Sequence, residues 1–254
     1  MLFTDSVYIG VDLISRHKVL TYAALDRDLN LVALAEAGSE EALSFLAGQK
    51  AAVVAVSAPS QVNHGIVKRN LQRESLTPHS VHGAEEMRVA EYELRQRGIA
   101  VRGTDAKESL CPAGVRAGFA FYKKLSKLGF EAYPSDDAPH QWLETSSYTC
   151  FCVLLGIHPL PKMTLEGRLQ RELLFYELGL QIRDPMTFFE EITRHKLLNG
   201  LLPFELVHSS AQLDAIAAAY TAWHVMQKPA EVIRFGHRLE GFITLPVSVL
   251  KEKY

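Results

Sequence analysis

Three carboxylates occupy positions where a charged oxygen could act on something. In "VYIGVDLISRH", Val7, Ile9, Val11 and Leu13 fall on one face of a strand and Tyr8, Gly10 and Asp12 on the other. Asp12 therefore sits near the strand end, beside the open space that Gly10 leaves, which is a cleft-like arrangement. Asp at a strand end is also ordinary turn chemistry. Glu131 lies in "FEAYP", a short strand over 130–134 with Phe130 and Ala132 on one face and Glu131 and Tyr133 on the other. Asp214 stands in "SSAQLDAIAAAYTAWHVM", in the first turn of a helix and next to the apolar stripe of Leu213, Ile216, Ala217 and Tyr220. Carboxylates offer hard oxygen to a cation. Each also has a plain structural use, as a strand-end residue, an ion-paired strand residue, or an acid favoured by the helix dipole.

The elements that must position these residues are legible in outline. Residues 7–13, 18–25 and 30–36 read as three strands joined by the turn formers "ISRH" and "DRDLN", an antiparallel meander. "SEEALSFLAGQK" reads as a helix capped by Ser39, with Glu in its first turn and Gly48 near its end. It leads to "AAVVAVSAPS", an apolar run without alternation, as expected of a central strand covered on both faces. Helices are expected over 82–98 and 113–129, closed by Gly98 and Gly129, and then in "APHQWLET", 164–179, 185–200 and 209–226. With no internal repeat and no low-complexity linker, one α/β domain over 1–254 is expected, with a helical insertion at about 60–128 after the fourth strand.

Composition narrows the function classes. The chain has 254 residues, 48% hydrophobic and 22% charged, with a net charge of -2. A strongly basic nucleic-acid footprint is absent, so any such contact must be local. Cys111, Cys150 and Cys152 read as core thiols of a reducing compartment, since Cys150 and Cys152 are separated by one residue and supply no zinc pattern. No basic-then-apolar leader and no apolar run of about 20 residues is present, so no membrane association is expected and the cytoplasm is the expected compartment. The histidines His64, His79, His82, His140, His195 and His224 are scattered and receive no metal role.

Asp12 on the first strand, Ala58-Pro59 after the fourth, "EAYP" beyond it and "LDAIAAAYTAW" late in the chain follow the order of the RNase H-like fold. With "MRVAEYELRQRGI", "PKMTLEGRLQREL" and "LEGFITLPV", they resemble the predicted RNase H-like nuclease family called domain of unknown function 429, over roughly residues 7 to 246. The resemblance implies a mixed five-stranded sheet flanked by helices, its first three strands antiparallel and the fourth and fifth parallel. It also implies carboxylates from the first strand, another strand and a late helix converging to hold Mg²⁺ or Mn²⁺ for phosphodiester hydrolysis. Asp12, Glu131 and Asp214 are the expected catalytic metal ligands. Arg88, Lys162 and Arg168 are the expected contacts to a nucleic-acid substrate, with Lys162 or Arg88 offsetting charge.

The pattern departs from the family at one residue. Where an Asp is expected before Ala-Pro, this chain has Ser57, and a hydroxyl brings no charge to a cation cluster. Asp136 and Asp137 could compensate, although a solvated turn explains them too. Arg88, Glu91 and Arg95 share a helix face, and Lys162, Glu166, Arg168 and Arg171 begin another helix facing an anionic ligand; each set reads as a second shell or phosphate grip, or as a solvated charged face. Two functions emerge: a metal-dependent nuclease, or a weakened relative that binds nucleic acid or a protein partner through the same cleft. An actin-like ATPase or sugar kinase ranks lower, because "GVDLISR" lacks a Gly-rich phosphate loop.

Overall fold

The computed structural model describes residues 6–13, 19–74 and 86–254; the "ISRH" turn, the first residues of the 82–98 helix, His79 and His82 lie outside the described residues. The alternating stretch forms β1 (Ser6–Asp12), antiparallel to β2 (Val19–Leu25), itself antiparallel to β3 (Leu31–Gly38). α1 (Ser39–Ala47) starts on the expected cap residue, so the N-cap position falls one residue earlier, on Gly38; the helix returns the chain to β4 (Ala51–Val56), parallel to β1. All six β4 residues are buried, as an unalternating apolar run requires. On one face Ile9, Val11, Val54 and Val56 pack with Leu46, Phe121 and Leu125. On the other, Tyr8, Val53 and Ala55 pack with Leu213, Ala217 and Phe151.

Between β4 and residue 130 the chain carries α2 (Ile66–Glu74), α3 (Val89–Gln96) and α4 (Ala113–Lys127). The expected strand at 130–134 is reduced to β5 (Glu131–Ala132), both residues exposed. The segment "APHQWLET", expected as a helix, is instead β6 (His140–Glu144), parallel to β4. Its polar Gln141 hides the strand pattern. That residue is buried and folds its amide back to accept from Ser135 N (3.0 Å) and donate to Ala138 O (3.1 Å).

The chain continues through α5 (Ser147–Leu155) and α6 (Leu165–Glu177). Residues 185–200 form two short helices rather than one, α7 (Thr187–Glu191) and α8 (Arg194–Leu198), because Ile192 is extended and Thr193 starts a new cap by accepting from Lys196 N. α9 (Ser210–Gln227) and the hairpin β7 (Ile233–His237) and β8 (Gly241–Leu245) complete the order of elements.

Among the described residues, eight strands form one mixed sheet, not five, in the order β3-β2-β1-β4-β6-β8-β7 with β5 also paired to β6. The added strands have a simple origin. β6 is a strand in place of an expected helix, and the β7–β8 hairpin extends the sheet through a parallel contact of Glu144 with Ile243. None of the described helices is long and apolar enough to cross a membrane.

The space at Gly10 is filled rather than open. A β-carbon on Gly10 would stand 2.0 Å from Ala215 O and 2.1 Å from Ala219 N, so the alanine-rich face of α9 rests directly on β1. The sequence explains this closeness: Ala215, Ala217, Ala218, Ala219 and Ala222 are all fully buried.

Candidate functional site

β1, β4 and β6 end in step. Val11 pairs in register with Val56, and Val56 with Glu144. Ser57 N donates to Val11 O (2.9 Å) and Thr145 N to Val56 O (3.0 Å), closing the edge. Side chains alternate along a strand, so Asp12, Ser57 and Thr145 come out on the α9 side while Glu144 shares the opposite side with Val11 and Val56. A cavity of about 410 Å³ covers this edge, and Asp12, Ser57, Glu144, Ser147, Lys162 and Asp214 all line it.

Asp214 reaches the cavity from α9. Ser209 caps that helix, accepting from Gln212 N while Gln212 Oε1 accepts from Ser209 N. Asp214 is thus the fifth helical residue and stands beyond the first turn, which removes the helix dipole as its explanation. The start of α5 fastens the edge to α9: Ser147 N donates to Ser57 Oγ (3.1 Å), and the Ser147 hydroxyl lies 2.9 Å from Ser57 Oγ and 2.7 Å from Asp214 O. Burial holds the Asp214 carboxyl above its ordinary range, against the opposing pull of Lys162 and Arg171. Lys162 Nζ sits 2.8 Å from Asp214 Oδ2 with its side chain half-exposed.

The segment "PKMTLEGRLQREL" is a device for holding Lys162. Thr164 caps α6 by accepting from Gly167 N (3.1 Å). Gly167 has no room for a β-carbon, which would lie 2.0 Å from Pro161 O, so the turn carrying Lys162 packs flat on the helix. Arg171 is buried and donates to Leu160 O (2.9 Å) and Gly167 O (2.6 Å), clamping the turn from below. Arg168 does not line the cavity; it donates to His208 O (2.7 Å) and Val207 O (2.6 Å), tying α6 to the segment before α9.

Arg88 belongs to neither of its expected settings, a solvated face or a free phosphate grip. It is buried, and its guanidinium donates to Glu91 Oε1 (2.8 Å), Glu144 Oε2 (3.1 Å), Glu144 Oε1 (2.6 Å) and Glu240 O (2.7 Å). Burial alone would weaken its hold on the proton, but the Glu144 and Glu91 carboxylates outweigh that and raise its pKa. Glu144 also accepts from Ser60 N (2.7 Å) and Ser60 Oγ (2.6 Å). Glu240 continues the network with its own carboxylate, which accepts from His64 N (2.9 Å) and Ile66 N (3.2 Å) at the start of α2 and from Val89 N (2.9 Å) at the start of α3.

The structure brings together Asp12, Asp214, Lys162 and Arg88 but leaves Glu131 out of the cavity lining. Glu131 is exposed and accepts from Ser135 Oγ (2.7 Å). The strand carboxylate at the cavity is Glu144, which sequence reasoning misses because its segment has a helix-like pattern. A signal is present all the same: "WLETSS" repeats the design of "VAVSAPS", an apolar pair running into small hydroxyl residues. Ser147 carries no such mark, and Arg171, expected on a charged helix face, is buried instead.

A mixed α/β chain with paired carboxylate and cationic side chains at the carboxyl edge of its parallel strands defines the class of protein. Residues 10–234 match the family model described as protein of unknown function (DUF429), and the chain belongs to that family. No match is found among curated proteins or among solved structures.

Proposed function

We propose that the chain is an RNase H-like protein that binds a nucleic-acid strand in this cleft and has lost the two-ion chemistry of a nuclease. The scaffold half of the reading is supported by the order β3-β2-β1-β4-β6, antiparallel through the first three strands and parallel thereafter. The observation that carries the other half is that protein cations already answer the acids: Lys162 pairs with Asp214 and Arg88 with Glu144.

A two-ion centre needs several carboxylates facing one another. Here Ser57 contributes a neutral hydroxyl already bonded to Ser147, and Glu144 emerges on the opposite side of the sheet from Asp12. Among the described residues, no group of three or more His, Cys, Asp or Glu side chains comes together to hold a metal ion. This donor set does not fit two ions. A phosphodiester suits the cleft better, because half-exposed Lys162 and exposed Arg102 line it beside the start of α5. The net charge of -2 makes that grip local.

A second reading, hydrolysis with a single Mg²⁺ or Mn²⁺, is favoured by one observation: Asp12 and Asp214 are both buried and line one cavity. Mg²⁺ is commonly held by one or two carboxylates together with substrate phosphate.

One pair of measurements separates the two. Isothermal titration with Mn²⁺ on the native chain, Asp12→Asn and Ser57→Asp is expected to give binding only in Ser57→Asp. Anisotropy of short fluorescein-labelled DNA and RNA strands is expected to show binding that Lys162→Gln weakens about tenfold. Native Mn²⁺ binding lost in Asp12→Asn, with strand cleavage, establishes the second reading instead. Failure of both DNA and RNA to bind removes the first.

A further inference from the structure

A second cavity, of about 230 Å³, lies where β5 and β8 share the edge of β6. β5 pairs with Gln141 and Trp142, β8 only with Glu144, and the fork between them is lined by Tyr133, Trp142, Phe242, Thr244, Arg234 and Arg238. Glu144 lines both cavities and, with its four donor contacts from Arg88 and Ser60, forms the wall between them.

The lining has an uncommon combination of groups. Three aromatic rings line a space below the about 300 Å³ at which pockets for drug-sized ligands begin, so it takes the flat ring system of a ligand and leaves the rest at the mouth. At the mouth Arg234 and Arg238 are exposed, and among the described residues neither has an ion-pair partner. The Arg234 guanidinium is held 4.1 Å above the Phe242 ring, which fixes its direction.

We propose that this fork is a binding site for a nucleobase carrying a phosphate: the flat heterocycle among the rings of Tyr133, Trp142 and Phe242, its phosphate on Arg234 and Arg238. Aromatic faces stack on a flat heterocycle, and two guanidiniums suit a phosphate. The inference stands on residues separate from the strand-binding reading of the main cleft. The ligand has two sources, a free mononucleotide or one unit of a longer strand.

The test is calorimetric titration of the full chain with AMP, GMP, CMP and UMP, beside the matching nucleosides and inorganic phosphate. At least one monophosphate is expected to bind about tenfold more tightly than its nucleoside and than phosphate. Arg234→Gln and Arg238→Gln are each expected to weaken it about tenfold; both residues are exposed, so both variants read binding on a folded chain. Competition by a short oligonucleotide, itself sensitive to Arg234→Gln, assigns the source to a strand, and its absence assigns it to free nucleotide. The proposal is overturned if no monophosphate binds at millimolar concentration, if phosphate alone binds equally well, or if binding is lost in Lys162→Gln but retained in Arg234→Gln. The last result would move the ligand to the main cleft.

Discussion

Gly10 and Ala215 meet backbone to backbone: the Ala215 carbonyl lies 2.0 Å from where Gly10 would carry a β-carbon. Asp12 stands two residues after the one and Asp214 immediately precedes the other, so this contact sets the depth at which both carboxylates enter the cavity. Gly10→Ala must push α9 off β1. Overpacking of this kind costs about 1–3 kcal/mol, and urea denaturation is expected to show it. Strand binding should fall as well, although every cleft side chain is retained. Unchanged stability would mean that α9 is not seated on β1 in this way.

Arg88 answers two buried carboxylates at once, and removing one partner of such a group leaves uncompensated charge inside the protein. Arg88→Met is expected to lose about 3–5 kcal/mol in chemical denaturation. Arg88→Lys should recover little of it, since an ammonium cannot make the forked contacts to Glu144 while also reaching Glu91 and the Glu240 carbonyl. If the lysine variant is as stable as the native chain, geometry matters less here than charge.

Asp214 gives a pH dependence of defined sign. Its folded pKa is raised above the ordinary 3.8 by burial, so the stability it contributes is fully present below that value and is lost as pH rises through the raised one. Asp214→Asn removes the slope. Its melting temperature should equal that of the native chain in acid and exceed it by about 2–4 °C at neutral pH, because half-exposed Lys162 loses little when its partner goes. A variant that melts lower at neutral pH would show that the Lys162 contact outweighs desolvation.

His224 runs the other way. It is buried against the Tyr220 and Trp223 rings, and neither ring nitrogen has a hydrogen-bond partner; Glu231 stands 3.6 Å from Nε2. Burial, helped by Lys228, lowers its pKa below the ordinary 6.5. Stability is therefore present above 6.5 and is lost as pH falls through the lowered value. His224→Leu should flatten the acid limb of a stability profile below pH 6.5 and raise neutral stability by about 1 kcal/mol, since it removes unpartnered polar atoms. A steeper acid limb in the variant would mean that the imidazole is bonded when protonated.

The parts of the fold written in hydrophobic period are legible in the sequence. The meander, β4 and α9 emerge from alternation, an unbroken apolar run and a stripe at helical spacing. Where buried residues are polar, period fails. Gln141 and Glu144 make β6 look like a helix, and Arg88 with Glu91 looks like a solvated ladder because their partners, Glu144, Thr104 and Glu240, are distant in sequence. α5 escapes a sequence reading because it is apolar nearly all round and shows no stripe. Asp12 and Asp214 are legible because each sits beside a small residue packed against another element. Glu131 is misplaced in the site because its two-residue strand resembles the strand that does reach the cavity.

Glu240 has a consequence for the order in which the chain matures. Its single carboxylate accepts from Ile66 N, the first of α2, from His64 N just before it, and from Val89 N, the first of α3, groups 151 to 176 residues earlier in the chain. During synthesis from the N-terminus these helix starts emerge with their amides bonded to water, and their protein acceptor arrives only when the β7–β8 turn leaves the ribosome. The middle of the chain is thus translated early but sealed late, by a residue near its far end.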